Sequence, residues 1–296
     1  MCIRDRHHMV RVLGPLPSYY ENPRDGVVGL LTDRWDLHNL RTLFRVKSRF
    51  EATDEMLRMM VPIGRLGAAE LNELAVQPSL RYVIDLMVAW RIPSRETAQA
   101  VRDTWTVYES SGDLTVLETA LGRAFAKRVG EQLDRDDSGA AAVLRGELDE
   151  INVLTCLRVR AARDAGERTR LDSLGTDQYL PGGRVRLDVL ADIAATDDRS
   201  AAASQLQRLP LPPGWGPAIS DWDRSGDLVA LAAALRLAST RHAVGLFGRG
   251  DPLGYDIPVA FTRAQEHEAR NLRWIGRGIT HGLGRPEVEH DLAVVT

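Results

Sequence analysis

Apolar residues recur every three or four positions along most of the chain, which is the spacing of one face of an α-helix. The run Leu228, Leu231, Leu235 and Ala238 is an example. One stretch, residues 184–189, alternates polar and apolar residues as a strand would. The pattern therefore predicts an all-α protein, with this stretch as the main exception to test.

Helix breakers fall at three places along the chain. They are Ile92–Pro93, the acidic and small residues 134–142, and the proline-rich run 210–217, which has the composition of a linker. Ser94 is predicted to cap the helix that follows it. Thr262 and Gln265 have the spacing of a capping box, which predicts a helix that opens there and ends near residue 278 or 282.

One pattern occurs three times and is the most informative signal in the sequence. Each copy has an acidic residue, two further residues, an asparagine, an apolar residue, and an arginine six positions after the asparagine. The copies start 113 and 119 residues apart, a nearly constant and domain-sized period. The residues of the three copies are Asp36, Asn39 and Arg45; Asp149, Asn152 and Arg158; and Glu268, Asn271 and Arg277.

A second element follows each copy. It reads Pro62–Leu66 after the first, Pro181–Val185 after the second, and in a shortened form Gly282–Arg285 after the third. Proline and glycine disfavour a continuing helix, so each unit is predicted to be a helix, a turn and another helix. The alternating residues 184–189 are then interpreted as the start of that second helix.

The acid and the asparagine, three positions apart, share one face of a helix. In a structural interpretation, the asparagine bonds to a neighbouring helix and the arginine, on another face, meets a carboxylate elsewhere in the unit. In a functional interpretation, the repeated polar face lines a shared surface. The sequence leaves both open.

Composition removes several classes of protein. With 38 basic and 41 acidic residues the net charge is −3, so no positive field favours nucleic acid. Two cysteines make no disulfide framework, which favours a reducing compartment, and the scattered histidines indicate no metal site. The longest apolar stretch is about half the length that a membrane-spanning helix needs.

Enzyme signatures are also missing, and no cofactor or nucleotide is expected. Neither lysine, Lys47 or Lys127, lies in a phosphate-binding loop, and the glycine-rich segments lack the spacing of a dinucleotide loop. His267–Asn271 has an asparagine where a zinc-protease helix needs its second histidine. A helical enzyme that uses Glu266, His267 and Glu268 as acid and base stays as a minor alternative.

The repeat resembles the C-type subunits of the prokaryotic V/A-type ATPases, which are relatives of the d-type subunits of eukaryotic V-ATPases. The similarity extends from about Tyr19 to the carboxyl end. It is carried by Trp35–Arg41, by Glu147–Asn152 leading to Tyr179–Gly183, and by Glu266–Arg273.

This resemblance implies three similar helical domains around a pseudo-threefold axis, forming a funnel. Such a protein is non-catalytic and lies on the cytoplasmic face of the membrane. Its partners are the rotor shaft and the membrane proteolipid ring, and it couples them for proton or sodium transport. Arg45, Arg158 and Arg277 are then expected near the funnel interior.

The predicted domains are residues 10–93, 94–209 and 218–296. The first is short, because only 35 residues precede Asp36, and it is expected to be truncated at its amino end. The alternative is an all-helical protein-interaction scaffold that is unrelated to a rotary ATPase.

Overall fold

The computed structural model describes residues 3–20, 26–49, 53–166 and 175–292. Across these ranges the chain is built of helices and contains no strand, which confirms the all-α prediction. The described part also contains no helix that combines the length and the apolar character needed to cross a membrane.

The first half of the chain contains a short 3₁₀ helix at Leu16–Tyr19 and eight α-helices among its described residues. In order, α1 to α8 are Ile3–Leu13, Val27–Arg49, Thr53–Met59, Ala68–Val76, Leu80–Trp90, Arg95–Asp103, Trp105–Ser111 and Leu114–Gln132.

The second half continues with helices α9 to α16. They are Gly139–Asp164, Leu187–Ala194, Arg199–Gln207, Trp215–Ser225, Leu228–Val244, Leu246–Arg249, Asp256–Thr280 and Arg285–Asp291.

The sequence repeat is also a repeat of helices. Five helices of the first half have a counterpart that begins between 112 and 120 residues later: α2 and α9, α4 and α10, α5 and α11, α6 and α12, and α8 and α13. Helix α15 begins 117 residues after α9. We refer to the segments that begin at α2, α9 and α15 as repeats 1, 2 and 3.

The described chain divides into two compact units. Unit 1 contains the residues up to Phe125 together with Ala264–Leu292, and unit 2 contains Ala126–Arg263. The core of unit 1 runs from Leu37 to Leu121, and the core of unit 2 runs from Val153 to Leu235.

The breaks at residue 93 and at residues 210–217 lie inside these cores. Ala98 and Val101, after the first break, share a core with Ile84 and Met87 before it. Trp215, in the proline-rich run, is fully buried in the second core. The cores therefore do not divide at 93 or 209, and the three-domain division stays a prediction.

Local predictions had mixed outcomes. The Ser94 cap is confirmed, since its hydroxyl accepts a bond from the Thr97 amide at 3.1 Å. The capping box at Thr262 is wrong, because α15 already begins at Asp256 and the Thr262 hydroxyl donates to the Pro258 carbonyl one turn back. The predicted end of that helix is confirmed at Thr280.

Candidate functional site

In repeat 1, Asp36 on α2 holds the turn that precedes α4. Its two carboxylate oxygens accept bonds from consecutive main-chain amides, Arg65 at 2.8 Å and Leu66 at 3.0 Å. The Asp36 side chain is fully buried. These two bonds satisfy buried amides of the turn, which no helix of its own supplies with a partner.

Asn39, one helical turn further along α2, holds the other end of the same turn. Its amide nitrogen donates to the Val61 carbonyl at 2.8 Å, and its amide oxygen accepts from the Val61 nitrogen at 2.7 Å. A carboxamide can pair with both polar groups of one peptide residue in this way. We call the acid, the asparagine and the turn they hold a clamp.

Repeat 2 contains the same clamp. Asp149 on α9 accepts from the amides of Arg184 and Val185, both at 3.1 Å. Asn152 donates to the Leu180 carbonyl at 2.8 Å and accepts from the Leu180 nitrogen at 2.7 Å. The two sequence elements that recur together are therefore the two halves of one contact.

A glycine in each turn lets the main chain come close to the carboxylate. A Cβ built at Gly64 would overlap the Asp36 carboxylate, and one built at Gly183 would overlap that of Asp149. Only glycine fits where two chain segments approach so closely. This explains why glycine precedes arginine in both turns.

The clamps differ from the structural interpretation in one respect. Asn39 and Asn152 bond to the main chain of a turn, and not to a neighbouring helix. They also do not line a surface, because the acid and the asparagine of both clamps are fully buried. The physical reason is that turn amides, unlike helix amides, have no partner of their own.

The charge around the first clamp is unusual. Asp33, one turn before Asp36 on α2, is also fully buried, and its Oδ1 lies 3.2 Å from Nε of Arg65. Burial is the main cause that raises the pKa of Asp36 to about 7, and the neighbouring Asp33 raises it further, against the two amide bonds.

Burial also raises the pKa of Asp149 above the usual range of an aspartate. The amide bonds of Val185 and Arg184 oppose that shift, as do the positive charges of Arg184 and Arg145. The charges that act on Asp149 are thus those of arginines, whereas Asp36 also feels the negative charge of Asp33.

The third copy is placed differently. Glu268 on α15 is exposed, and its carboxylate accepts from the Gln265 amide at 3.5 Å. Asn271 is half-buried, and its side chain lies 3.4 Å from Nε2 of His267. The main-chain amides of the turn at residues 282–284 donate instead to the Ile279 and Gly278 carbonyls and to the Glu287 carboxylate.

The three arginines of the pattern are all exposed. Arg45 forms a two-pronged ion pair with Glu118 on α8, at 2.6 and 2.8 Å. The side chains of Arg158 and Arg277 make no hydrogen bond or ion pair with the described residues. The carboxylate predicted to meet the arginine is thus present in repeat 1.

Two ion pairs that involve α15 are not among the contacts predicted from the sequence. Glu266 pairs with Arg34 on α2, and Arg263 pairs with Glu147 on α9. Burial lowers the pKa of Arg34 to about 10. A signal was available: each copy carries a charged residue two positions before its acid, namely Arg34, Glu147 and Glu266.

The residues of the enzyme alternative have separate partners. Glu266 pairs with Arg34, Glu268 is exposed beside Gln265, and His267 is buried next to Asn271. Within the described ranges, no group of three or more histidine, cysteine, aspartate or glutamate side chains could hold a metal ion.

Comparison with known families gives the relationship. The sequence model of the family described as ATP synthase (C/AC39) subunit matches residues 6–290, nearly the whole chain. The chain belongs to the ATP synthase C/AC39 subunit family. The resemblance to the C-type subunits of the V/A-type ATPases is therefore confirmed.

Individual relatives in this family are distant but cover most of the chain. The C-type subunit of the A-type ATP synthase from Halorubrum lacusprofundi is 24% identical over 281 residues, which are 91% of this chain and 74% of that protein. Its counterpart in the V-type ATP synthase of Thermus thermophilus is 26% identical over 95% of this chain and 79% of its own length. The A-type counterpart from Haloferax volcanii is 27% identical over 273 residues, 89% of this chain and 71% of that protein.

Proposed function

We propose that this C/AC39-family chain is a non-catalytic central-stalk component of a rotary ATPase or ATP synthase. It couples the rotor shaft to the membrane proteolipid ring during proton or sodium transport, as a peripheral protein on the cytoplasmic face. The observation that carries this proposal is the family match over residues 6–290.

The clamps support a mechanical role. A protein that transmits torque has to keep its helices in fixed positions relative to one another. Turns that changed conformation would reduce the rotation that is passed on. Each clamp fixes a turn through four main-chain bonds to one helix. Buried bonds of this kind are costly to break, because each buried group left without a partner costs about 1–3 kcal/mol.

The test is a pull-down of the tagged chain from gently solubilised membranes of the source cell, followed by mass spectrometry. We expect recovery of shaft and ring proteins. A matched Asn39→Ala, Asn152→Ala chain, which loses the asparagine bonds of both clamps, is expected to recover less of either. Recovery of other proteins without any rotary ATPase component would replace the proposal by the unrelated helical scaffold.

The exposed arginines are proposed as contact residues for these partners. Arginine binds carboxylates in a two-pronged geometry, as Arg45 does with Glu118. Reversal of Arg45, Arg158 and Arg277 to glutamate is expected to weaken recovery of shaft and ring by about tenfold.

A matched control reverses three other exposed arginines, Arg135, Arg186 and Arg224. This control changes the net charge by the same amount and is expected to leave recovery within about twofold. Equal loss in both variants would show a general charge effect and remove the specific role of the three repeat arginines.

A further inference from the structure

The apolar residue of the repeated pattern is buried in two copies and exposed in the third. Leu40 and Val153 are 0% exposed, whereas Leu272 on α15 is 50% exposed. The same helix register that faces a core in repeats 1 and 2 therefore faces outward in repeat 3.

Neighbouring positions on α15 show the same difference. Gly276 occupies the register of the buried Phe44 and Leu157, and a Cβ built there meets nothing within 4 Å. One turn further, Ile279 is 74% exposed and is apolar where repeats 1 and 2 have Lys47 and Arg160. We call the surface formed by Leu272, Ile275, Gly276 and Ile279 the α15 face.

Helix α16 does not cover this face. It packs on another side of α15, where Nε1 of Trp274 donates to the Val288 carbonyl at 3.2 Å and Gly278 leaves room for the Val288 side chain. The α15 face is thus an exposed apolar strip with Gly276 between Leu272 and Ile279 along the helix.

In repeats 1 and 2, the residues that correspond to Leu272 share a core with a further helix. In repeat 1, α8 contributes Leu117 and Leu121 to the core that contains Leu40. In repeat 2, α13 contributes Leu231 and Leu235, 114 residues later, to the core that contains Val153. Both elements are helices with two leucines four positions apart.

The positive charge of Arg277, beside the α15 face, indicates that a helix bound there carries a carboxylate. Glu118, next to Leu117 on α8, binds Arg45. Arg277 has the register of Arg45 and is exposed, with no hydrogen bond or ion pair from its side chain to the residues described. A helix that lies beside the α15 face with a carboxylate placed as Glu118 is placed for Arg45 would present that carboxylate to Arg277.

We propose that the α15 face binds an amphipathic helix of a partner protein that carries two leucines four positions apart and a carboxylate beside the first. The leucines would lie over Leu272, Gly276 and Ile279, and the carboxylate would pair with Arg277. A second copy of this chain cannot offer α8 or α13, because their leucines are already buried in their own cores. This inference goes beyond the proposed function and does not depend on it.

The test uses the full chain and a labelled peptide with the sequence of residues 114–132, whose leucines and Glu118 have the required pattern. Fluorescence anisotropy is expected to show saturable binding. Arg277→Glu is expected to weaken binding by about tenfold, and a peptide with Glu118→Lys is expected to restore it on that variant.

Two further variants test the apolar part. Leu272→Ser with Ile279→Ser replaces exposed residues and should leave the fold intact, and it is expected to reduce binding by at least about tenfold. Gly276→Phe places a large side chain at the centre of the α15 face, where it blocks the close approach of a helix, and is expected to do the same. The matched control, Val229→Ser, changes an 81% exposed residue on α13 and is expected to leave binding unchanged.

Three results would overturn the proposal. The first is no binding of the peptide to the unaltered chain. The second is binding that the Leu272→Ser, Ile279→Ser variant retains. The third is self-association of the chain that this same variant abolishes in sedimentation velocity, since the face would then pair with a second copy.

Discussion

The two clamps make the same main-chain bonds in different electrical surroundings. Three positions before the acid, repeat 1 has Asp33, which is buried and paired with Arg65. Repeat 2 has Gly146 at this position, and a Cβ built there would lie 3.1 Å from a carbon of the Pro212 ring. Because a second carboxylate lies near Asp36, its pKa is raised further by charge repulsion. Asp36 and Asp149 thus make the same bonds to their turns, although only Asp36 has a second carboxylate nearby.

The third copy adds a limit to this comparison. Glu268 and Asn271 keep the spacing of the pattern, yet Glu268 is exposed and is shown bonding within its own helix. The spacing of the acid and the asparagine is therefore not sufficient for a clamp, because the turn amides of repeat 3 bond to Ile279, Gly278 and Glu287 instead.

The largest expected effect is the loss of a clamp asparagine. Asn152→Ala removes the bonds that its side chain makes to both main-chain groups of Leu180, so we expect the free energy of unfolding to fall by about 3 kcal/mol. Asn39→Ala is expected to cost about 2 kcal/mol, because the Val61 nitrogen loses its bond while the Val61 carbonyl still accepts from the Ile63 amide at 2.9 Å. Urea denaturation measures this. Asn271→Ala, which removes a half-buried side chain, is the control and should cost less than about 1 kcal/mol; equal losses at all three would contradict the clamp.

Next in size is the addition of a methyl group to the turn glycine. Gly64→Ala or Gly183→Ala pushes a Cβ into the carboxylate and is expected to destabilise the chain by about 2 kcal/mol. Hydrogen exchange of residues 61–66 and 180–185 should rise only in the repeat that carries the change.

Gly276→Ala is the matched control for the glycine variants. It lies within α15 with open space around it, so it should be neutral or stabilise by up to about 1 kcal/mol. A tolerated methyl at Gly64 or Gly183 would show that the turns do not need this close approach.

The pH dependence of stability should separate the two clamps. The pKa of Asp36 rises from 3.8 to about 7 on folding, so the folded chain binds a proton that the unfolded chain releases between these values. The contribution of Asp36 to the free energy of unfolding therefore falls as pH rises from about 4 to 7, by on the order of 1 kcal/mol per pH unit.

Urea midpoints between pH 4 and 8 check this expectation. Asp36→Asn, which cannot titrate, should flatten the slope more than Asp149→Asn does, and Asp33→Asn should flatten it in part. If the Asp36→Asn and Asp149→Asn slopes agree, Asp33 does not distinguish the clamps.

The smallest effect is expected at the surface pair of repeat 1. The Arg45 side chain is 59% exposed, so Glu118→Gln should cost less than about 1 kcal/mol, and the loss should shrink in high salt. Repeat 2 has Ala232 at the register of Glu118, and Ala232→Glu should recover a similar amount by pairing with Arg158. Thermal denaturation at two salt concentrations measures both.

The sequence was sufficient to predict the helical class, the two elements of each clamp and the relationship to a known family. Their mutual contact could not be read from it, because Asp36 and Asn39 bond to main-chain atoms, which leave no trace in residue types. The sequence signal of this contact is the glycine at positions 64 and 183, where a larger residue would overlap the carboxylate.

Helix and core boundaries are harder to predict. Thr262 and Gln265 have the residue types of a capping box, but residues 256–261 already form the first part of α15, so Thr262 lies inside the helix. Prolines 93, 210 and 212 favour domain boundaries in the sequence, whereas in the structure they separate helices that share one core. A short proline break changes the direction of the chain without dividing the apolar surface on either side.

The clamps also bear on the order in which the chain can acquire structure during synthesis. Their bonds join residues between 22 and 36 positions apart, so each needs only a short stretch of completed chain. The clamp of repeat 1 can close once Leu66 has left the ribosome, well before α9 has been translated. Nascent chains would therefore present a turn already held to its helix while the next repeat is still being made.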